Sequence, residues 1–92
     1  MVDAFNDEQD VDLTLRAVLV DVLGLDAERV RGFTEATTLF GALPEFDSMA
    51  VAGLLTELEE RLGISIDDED VDADMMETFG ALLTFAKAKA LQ

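Results

Sequence analysis

The chain has 92 residues and a formal net charge of −15, a length that supports one domain, spanning 1–92, which buries roughly 60% or slightly more of the surface its unfolded chain exposes. The excess of 21 acidic over 6 basic residues repels nucleic acid and anionic membrane, attracts basic protein surfaces, and opposes compaction through self-repulsion, so salt or divalent ions are expected to stabilise the fold. Cysteine, histidine, tryptophan and tyrosine are absent, which excludes disulfides, thiolate or imidazole metal sites, and the commonest general base.

Residues 1–9 are mostly polar and predicted to fray. From Val11 to Leu23, apolar side chains at Val11, Leu15, Val18, Leu19 and Val22 share one helical face, and Gly24 is placed to end this first helix. Its longest apolar run, Ala17 to Val20, is hemmed by Arg16 and Asp21. That is too short to cross a membrane, and no stretch resembles a signal peptide, so a cytoplasmic protein is expected. The segment from Leu25 to Asp47 holds Gly32, Gly41 and the single proline, Pro44, and its apolar residues follow no clear period. It reads as a long ordered loop, pinned by Val30, Phe33, Leu39, Phe40, Leu43 and Phe46.

A second helix is predicted from Ser48, with Asp47 as its cap, Val51, Leu54, Leu55, Leu58 and Leu62 at helical spacing, and Gly63 as its stop. Glu57, Glu59 and Glu60 fall on its exposed side. After the acidic run Asp67–Asp74, a short helical turn around Asp72–Met76 is expected to precede a last helix. That helix is capped by Thr78 or Asp74, buries the stripe Phe79, Leu82, Leu83 and Ala86, and places Lys87 and Lys89 where they suit the dipole. The fold class is all-α: a small three- to four-helix bundle with a long ordered loop between its first two helices and no convincing strand.

Ser48 is one of two serines and sits where a long loop meets a helix start. As an autonomous nucleophile it lacks an obvious activating base, so no catalytic residue is assigned and the chain is not expected to be an enzyme. As a residue modified from outside it makes physical sense, because a phosphodiester at a helix N-terminus meets unsatisfied N–H groups and the positive end of the dipole. Ser65, between two isoleucines and in no motif, is the internal control expected to stay unmodified.

The stretch Phe46-Asp47-Ser48-Met49, followed by Leu54-Leu55-Thr56-Glu57-Leu58-Glu59-Glu60-Arg61-Leu62-Gly63-Ile64, resembles the Asp-Ser-Leu motif and second helix of acyl carrier proteins. Ile66-Asp67-Asp68-Glu69-Asp70 and Glu77-Thr78-Phe79-Gly80-Ala81-Leu82 resemble that family's third loop and the start of its final helix. The resemblance covers the chain from the first helix to about Ala90. It implies that a magnesium-using phosphopantetheinyl transferase moves 4'-phosphopantetheine from coenzyme A onto Ser48, with Asp47 aiding the transferase as well as capping the helix. Cargo, a fatty acyl, short acyl or aminoacyl group, then rides as a thioester. The implied partners are a loading ligase and a downstream synthase or transferase with basic docking surfaces that meet Met49, Glu57, Glu59 and Glu60. The carrier is expected to be a monomer. Leu58, Ile66 and Val71 align with positions that line an acyl cleft in related carriers, although ordinary core packing wants the same residue types.

Two positions depart from the family pattern. Met49 replaces the usual leucine, a mild change. Ala50 and Gly53 stand where fatty-acid carriers place acidic residues, which shifts the partner footprint and points to a specialised rather than a housekeeping fatty-acid role. The run from Gly41 to Met49 is also similar to carriers associated with bacterial exopolysaccharide and protein-sorting systems. Asp68, Asp70 and Asp72 alternate like the start of an EF-hand loop, but Ala73 takes the glycine position and Phe79 that of the bidentate glutamate. A solvated loop with no metal is therefore expected. The rival reading is an acidic interaction module, an adaptor or inhibitor, that binds a basic partner through Glu57, Glu59 and Glu60 and does not need Ser48.

Overall fold

The computed structural model describes residues 8–91. The helices are α1 (Glu8–Leu23), α2 (Ala27–Arg31), α3 (Ser48–Leu62), α4 (Ala73–Glu77) and α5 (Phe79–Ala90), with a 3-10 turn at Asp68–Asp70. The long helices α1, α3 and α5 form the bundle, α1 packing against both of the others. Among the described residues the only extended pairing is an isolated antiparallel bridge between Thr38 and Thr78.

Each long helix follows from its apolar spacing. Val11, Leu15, Val18 and Leu19 of α1, Leu54 and Leu58 of α3, and Phe79, Leu82, Leu83 and Ala86 of α5 are buried in one core, each large side chain contributing about 1.5–3 kcal/mol. Val22, expected on the α1 face, is only half-buried. The first helix starts earlier than predicted: residues 8 and 9, assigned to the frayed segment, lie within α1. Glu8 and Asp10 in its first turn suit the positive end of the dipole. The rest of that prediction, residues 1–7, falls outside the described residues. Gly63 ends α3 in the left-handed conformation at φ 66°, its N–H bonded to the Glu59 carbonyl. Thr78, not Asp74, caps α5 by accepting the Ala81 N–H at 3.1 Å.

The connection from 25 to 47 is ordered but is not loop throughout, since it contains α2. This single turn buries only Val30 and has no side-chain cap hydrogen bond. Its carbonyl end is held from outside, by Arg16 of α1 donating to the Val30 and Arg31 carbonyls at 2.7 and 3.2 Å. The same guanidinium pairs with Asp12 and lies 4.5 Å from the Phe79 ring centroid, so one side chain ties α1, α2 and α5 together.

Farther on, the connection is stapled to the α4–α5 junction by four backbone hydrogen bonds, with the Phe33 ring edge-on to Phe79 at 6.0 Å. Leu39 and Phe40 N–H groups donate to Glu77 and Met76 carbonyls at 2.8 and 3.1 Å; Phe79 and Gly80 N–H groups donate to Thr37 and Glu35 carbonyls at 2.8 and 3.1 Å. The approach is so close that a Cβ on Gly80 would stand 2.8 Å from the Glu35 carbonyl oxygen. Only glycine fits there. With Leu39, Leu43 and Phe46 buried as well, the chain arrives at residue 47 on a fixed path.

Candidate functional site

That path ends at Asp47, whose extended backbone and carboxylate cap α3 by accepting the Ala50 N–H at 2.9 Å. Ser48 is the first residue of the helix, exposed, and its hydroxyl makes no hydrogen bond within the described residues. The residues before it are locked. Gly41 turns the chain at φ 90°, Phe46 is buried, and the Phe40 ring meets the Phe46 ring edge-on at 6.0 Å. A packed base therefore holds a serine oxygen out into solvent.

Ser48 lies on the rim of two hollows that share Val51 and Val71. One, of about 480 Å³, runs between α3 and the segment after it. Its walls are Val51, Leu55, Ile66 and Val71, with Thr56, Glu59 and Asp68 as polar edges. The other, of about 350 Å³, opens toward α4 and is lined by Phe40, Val51, Val71, Ala73 and Met76, with Asp72 at its edge. Ile66 and Val71 thus sit where an acyl cleft would need them. Leu58, the third cleft candidate, is buried in the core behind them and lines neither hollow. Four large apolar lining residues were not among the cleft candidates read from the sequence. Val51 and Leu55 follow Ser48 at i+3 and i+7, a spacing that puts them on its side of the helix. Phe40 and Met76 reach the site only through the backbone staple, which has no sequence pattern.

The three glutamates of α3 do not form one free acidic face. Glu57 accepts from Arg61 Nε at 2.9 Å, while Arg61 also donates to Asp21 of α1 at 2.7 Å. These two carboxylates, Asp21 first, hold the guanidinium above its already high ordinary range. Glu59 turns back to accept the Ile66 N–H at 2.7 Å and shapes the wall of the larger hollow. Glu60 alone is fully outward, and Met49 is 85% exposed beside Ser48.

Half of the acidic run serves as caps. Asp67 and Asp70 form a reciprocal box around the 3-10 turn, and Asp72 caps α4 by accepting the Met75 N–H at 2.9 Å. Lys89 Nζ donates to Asp70 at 2.7 Å. That bond, then the Asp67 N–H, holds the Asp70 carboxyl below the usual range, and Lys89 is raised by the same contact. Among the described residues no three carboxylates gather as metal ligands.

No helix among the described residues is long and apolar enough to cross a membrane. Residues 13–85 match a family described as a phosphopantetheine attachment site. The fold is similar to the solution NMR structure of a holo acyl carrier protein from Nitrosomonas europaea, with a TM-score of 0.76 and 40% identity, over 87% of this chain and 94% of that one.

Proposed function

The chain belongs to the phosphopantetheine-attachment family and is an acyl carrier protein, and we propose that Ser48 is the residue that takes its 4'-phosphopantetheine arm. The observation that carries this is the exposed, uncommitted hydroxyl at the start of α3, on a packed base and between two hollows. In the transfer, Ser48 Oγ bonds to the phosphorus that joins pantetheine to the nucleotide of coenzyme A. The phosphoanhydride bond to the nucleotide breaks, the nucleotide leaves, and the hydroxyl proton passes to the transferase. The arm's phosphodiester then sits at the positive end of the α3 dipole, next to N–H groups that a helix start leaves without intrahelical partners.

Cargo is held as a thioester on the distal thiol. The Val51, Leu55, Ile66 and Val71 wall, and the Phe40 and Met76 wall opposite, are the apolar surfaces on which it rests. Asp47 serves in two ways: it caps α3 and presents its charge beside Ser48 to the transferase. Downstream partners meet Met49 and Glu60 directly, with Glu57 and Glu59 contributing field rather than free side chains, since both are already hydrogen-bonded. The loading ligase and synthase or transferase that meet this mixed surface belong to a specialised pathway rather than the fatty-acid housekeeping route. The absence of acidic residues from the first turn of α3 supports this. The carrier acts as a monomer in the cytoplasm, where coenzyme A supplies the arm, and does no chemistry of its own.

The test is the intact mass of the protein after incubation with coenzyme A, magnesium and a broad-specificity phosphopantetheinyl transferase, alongside Ser48→Ala. A gain of one phosphopantetheine by the native protein and none by the variant is expected, with exposed Ser65 untouched. If several transferases add nothing, the assignment of Ser48 fails and the charge-driven adaptor takes its place.

A further inference from the structure

Residues 63–66 leave α3 without entering another helix, and among the described residues every hydrogen bond that ties them back to α3 ends on Glu59. Its carbonyl accepts the Gly63 N–H and, at 3.1 Å, the Ile64 N–H. Its carboxylate accepts the Ile66 N–H at 2.7 Å, a charge-assisted bond in a part-buried place. An acid in the last turn works against the dipole of its own helix, so helix chemistry does not account for it. What the side chain does is hold the segment that follows.

That segment forms one wall of the larger hollow beside Ser48. Glu59 and Ile66 both line it, together with Val51, Leu55 and Val71. Ile66 is half-buried against the edge of the core, so packing covers only part of it. Farther along, Asp67 and Asp70 close on each other, and Lys89 of α5 donates to Asp70. The wall is therefore pinned to α5 at one end and to α3 at the other, and the pin at Ile66 is a single side chain.

We propose that Glu59 is a positioning residue for cargo: its carboxylate holds Ile66 against the Val51 and Leu55 side of α3 and so sets how closely this hollow encloses an apolar acyl chain. The inference rests on reading Ser48 as the attachment point of the arm, and it narrows the cargo to a chain long enough to lie along Val51, Leu55 and Ile66. Without the carboxylate the Ile66 N–H has no acceptor and the wall parts from α3. The loss then grows with chain length, because each methylene that loses its cover adds its own share. A general loosening of the fold has no such dependence.

The experiment loads the full chain with an arm carrying either an acetyl or an octanoyl group, checks loading by intact mass, and follows cleavage of each thioester by hydroxylamine. Rates are taken relative to the same thioesters on free pantetheine, for the native protein, Glu59→Ala and Glu59→Gln. In the native protein the octanoyl thioester is expected to be protected over the acetyl by about tenfold, the worth of two covered methylenes. Glu59→Ala should lose most of that protection with circular dichroism unchanged, and its Ile66 amide should exchange about tenfold faster. Glu59→Gln, whose amide oxygen still accepts the Ile66 N–H, should restore both. Glu59→Leu, which has no acceptor, takes the place of Glu59→Ala if alanine disturbs the fold. The proposal is overturned if the native protein does not protect octanoyl, if the acceptor-free variant protects it as well as the native does, or if both thioesters speed up alike. It also falls if Glu59→Gln behaves as Glu59→Ala. A loaded chain that gives any of these results leaves the carrier reading standing, whereas a chain that takes no arm ends that reading and this one with it.

Discussion

Replacing Gly80 by alanine should destabilise the protein even though alanine is the better helix former. The new Cβ would stand 2.8 Å from the Glu35 carbonyl oxygen, 2.9 Å from its Cβ and 3.0 Å from its Cα. None of these is the tip of a flexible side chain, so backbone has to move. Movement stretches the Gly80-to-Glu35 and Phe79-to-Thr37 hydrogen bonds, now 3.1 and 2.8 Å, each worth about 0.5–1.5 kcal/mol. Overpacking of this kind costs about 1–3 kcal/mol, and the gain of alanine over glycine in a helix interior, about 1 kcal/mol, is smaller in a first turn. The expected net loss is about 1–3 kcal/mol. In urea the midpoint should fall by about 0.7–3 M at unchanged slope, for a slope of about 1–1.5 kcal/mol/M in so small a domain. Because Leu39 and Phe40 hang from the same staple, transfer of the arm to Ser48 should also slow. A midpoint equal to or above that of the native protein would mean that the connection is not clamped on α5 as described.

Gly53→Ala should act in the opposite direction. A Cβ there meets only Val22 Cγ1, at an ordinary 3.5 Å, so the midpoint should rise by the equivalent of about 0.5–1 kcal/mol, and a fall would refute the α1–α3 spacing. Asp47→Ala should cost about 1 kcal/mol by loss of the cap, whereas Asp47→Asn should keep stability. Slower arm transfer to the Asn variant would then isolate the part played by the carboxylate charge. The Lys89–Asp70 contact makes a pH-dependent prediction. Asp70 is held below its ordinary value of 3.8, so its contribution is fully present above that value and is lost as pH falls through the lower folded one. The difference in Tm between native protein and Lys89→Met should therefore be constant from neutral pH down to about pH 5 and shrink as pH falls below 3.8; a difference that grows in acid contradicts the pairing.

The elements legible in the sequence are those built by local rules. The three long helices follow from apolar periodicity, the start of α3 from the capping chemistry of Asp47, and its end from Gly63. What was not legible depends on contacts distant in sequence. No pattern within Ala27–Arg31 marks α2, because what holds its carbonyl end is Arg16, on another helix. The staple between the connection and α5 is made of backbone groups, and its single trace in the sequence is a glycine at position 80, where a helix start does not otherwise require one. Glu57 and Arg61, four apart, were readable as a pair; the bond from Ile66 N–H to Glu59 was not, because it closes a turn after the helix has ended. Leu58 and Val71 were inseparable as core or cleft, since both places select apolar side chains and only the covering elements tell them apart.

The charge itself can now be apportioned. Asp47, Asp67, Asp70 and Asp72 are spent on helix starts and turns, and Asp12, Asp21, Glu57 and Glu8 on ion pairs that join or brace helices. The bases that answer them are thereby also spent, and none reaches the neighbourhood of Ser48: neither hollow beside it is lined by a lysine or arginine, while Glu59, Asp68 and Asp72 stand at their edges. An arm on Ser48 would thus find no lysine or arginine among the described residues lining either hollow to clamp its phosphodiester. It meets the weak positive end of α3 at its root and carboxylates on either side, while its apolar cargo is offered Val51, Leu55, Phe40 and Met76. Such an arm would be anchored at its root by the helix end and by its apolar cargo, and would find little between the two to hold it. That balance favours handing cargo on: a partner that supplies arginines or lysines next to Ser48 provides the one interaction the carrier withholds, and takes the arm with it.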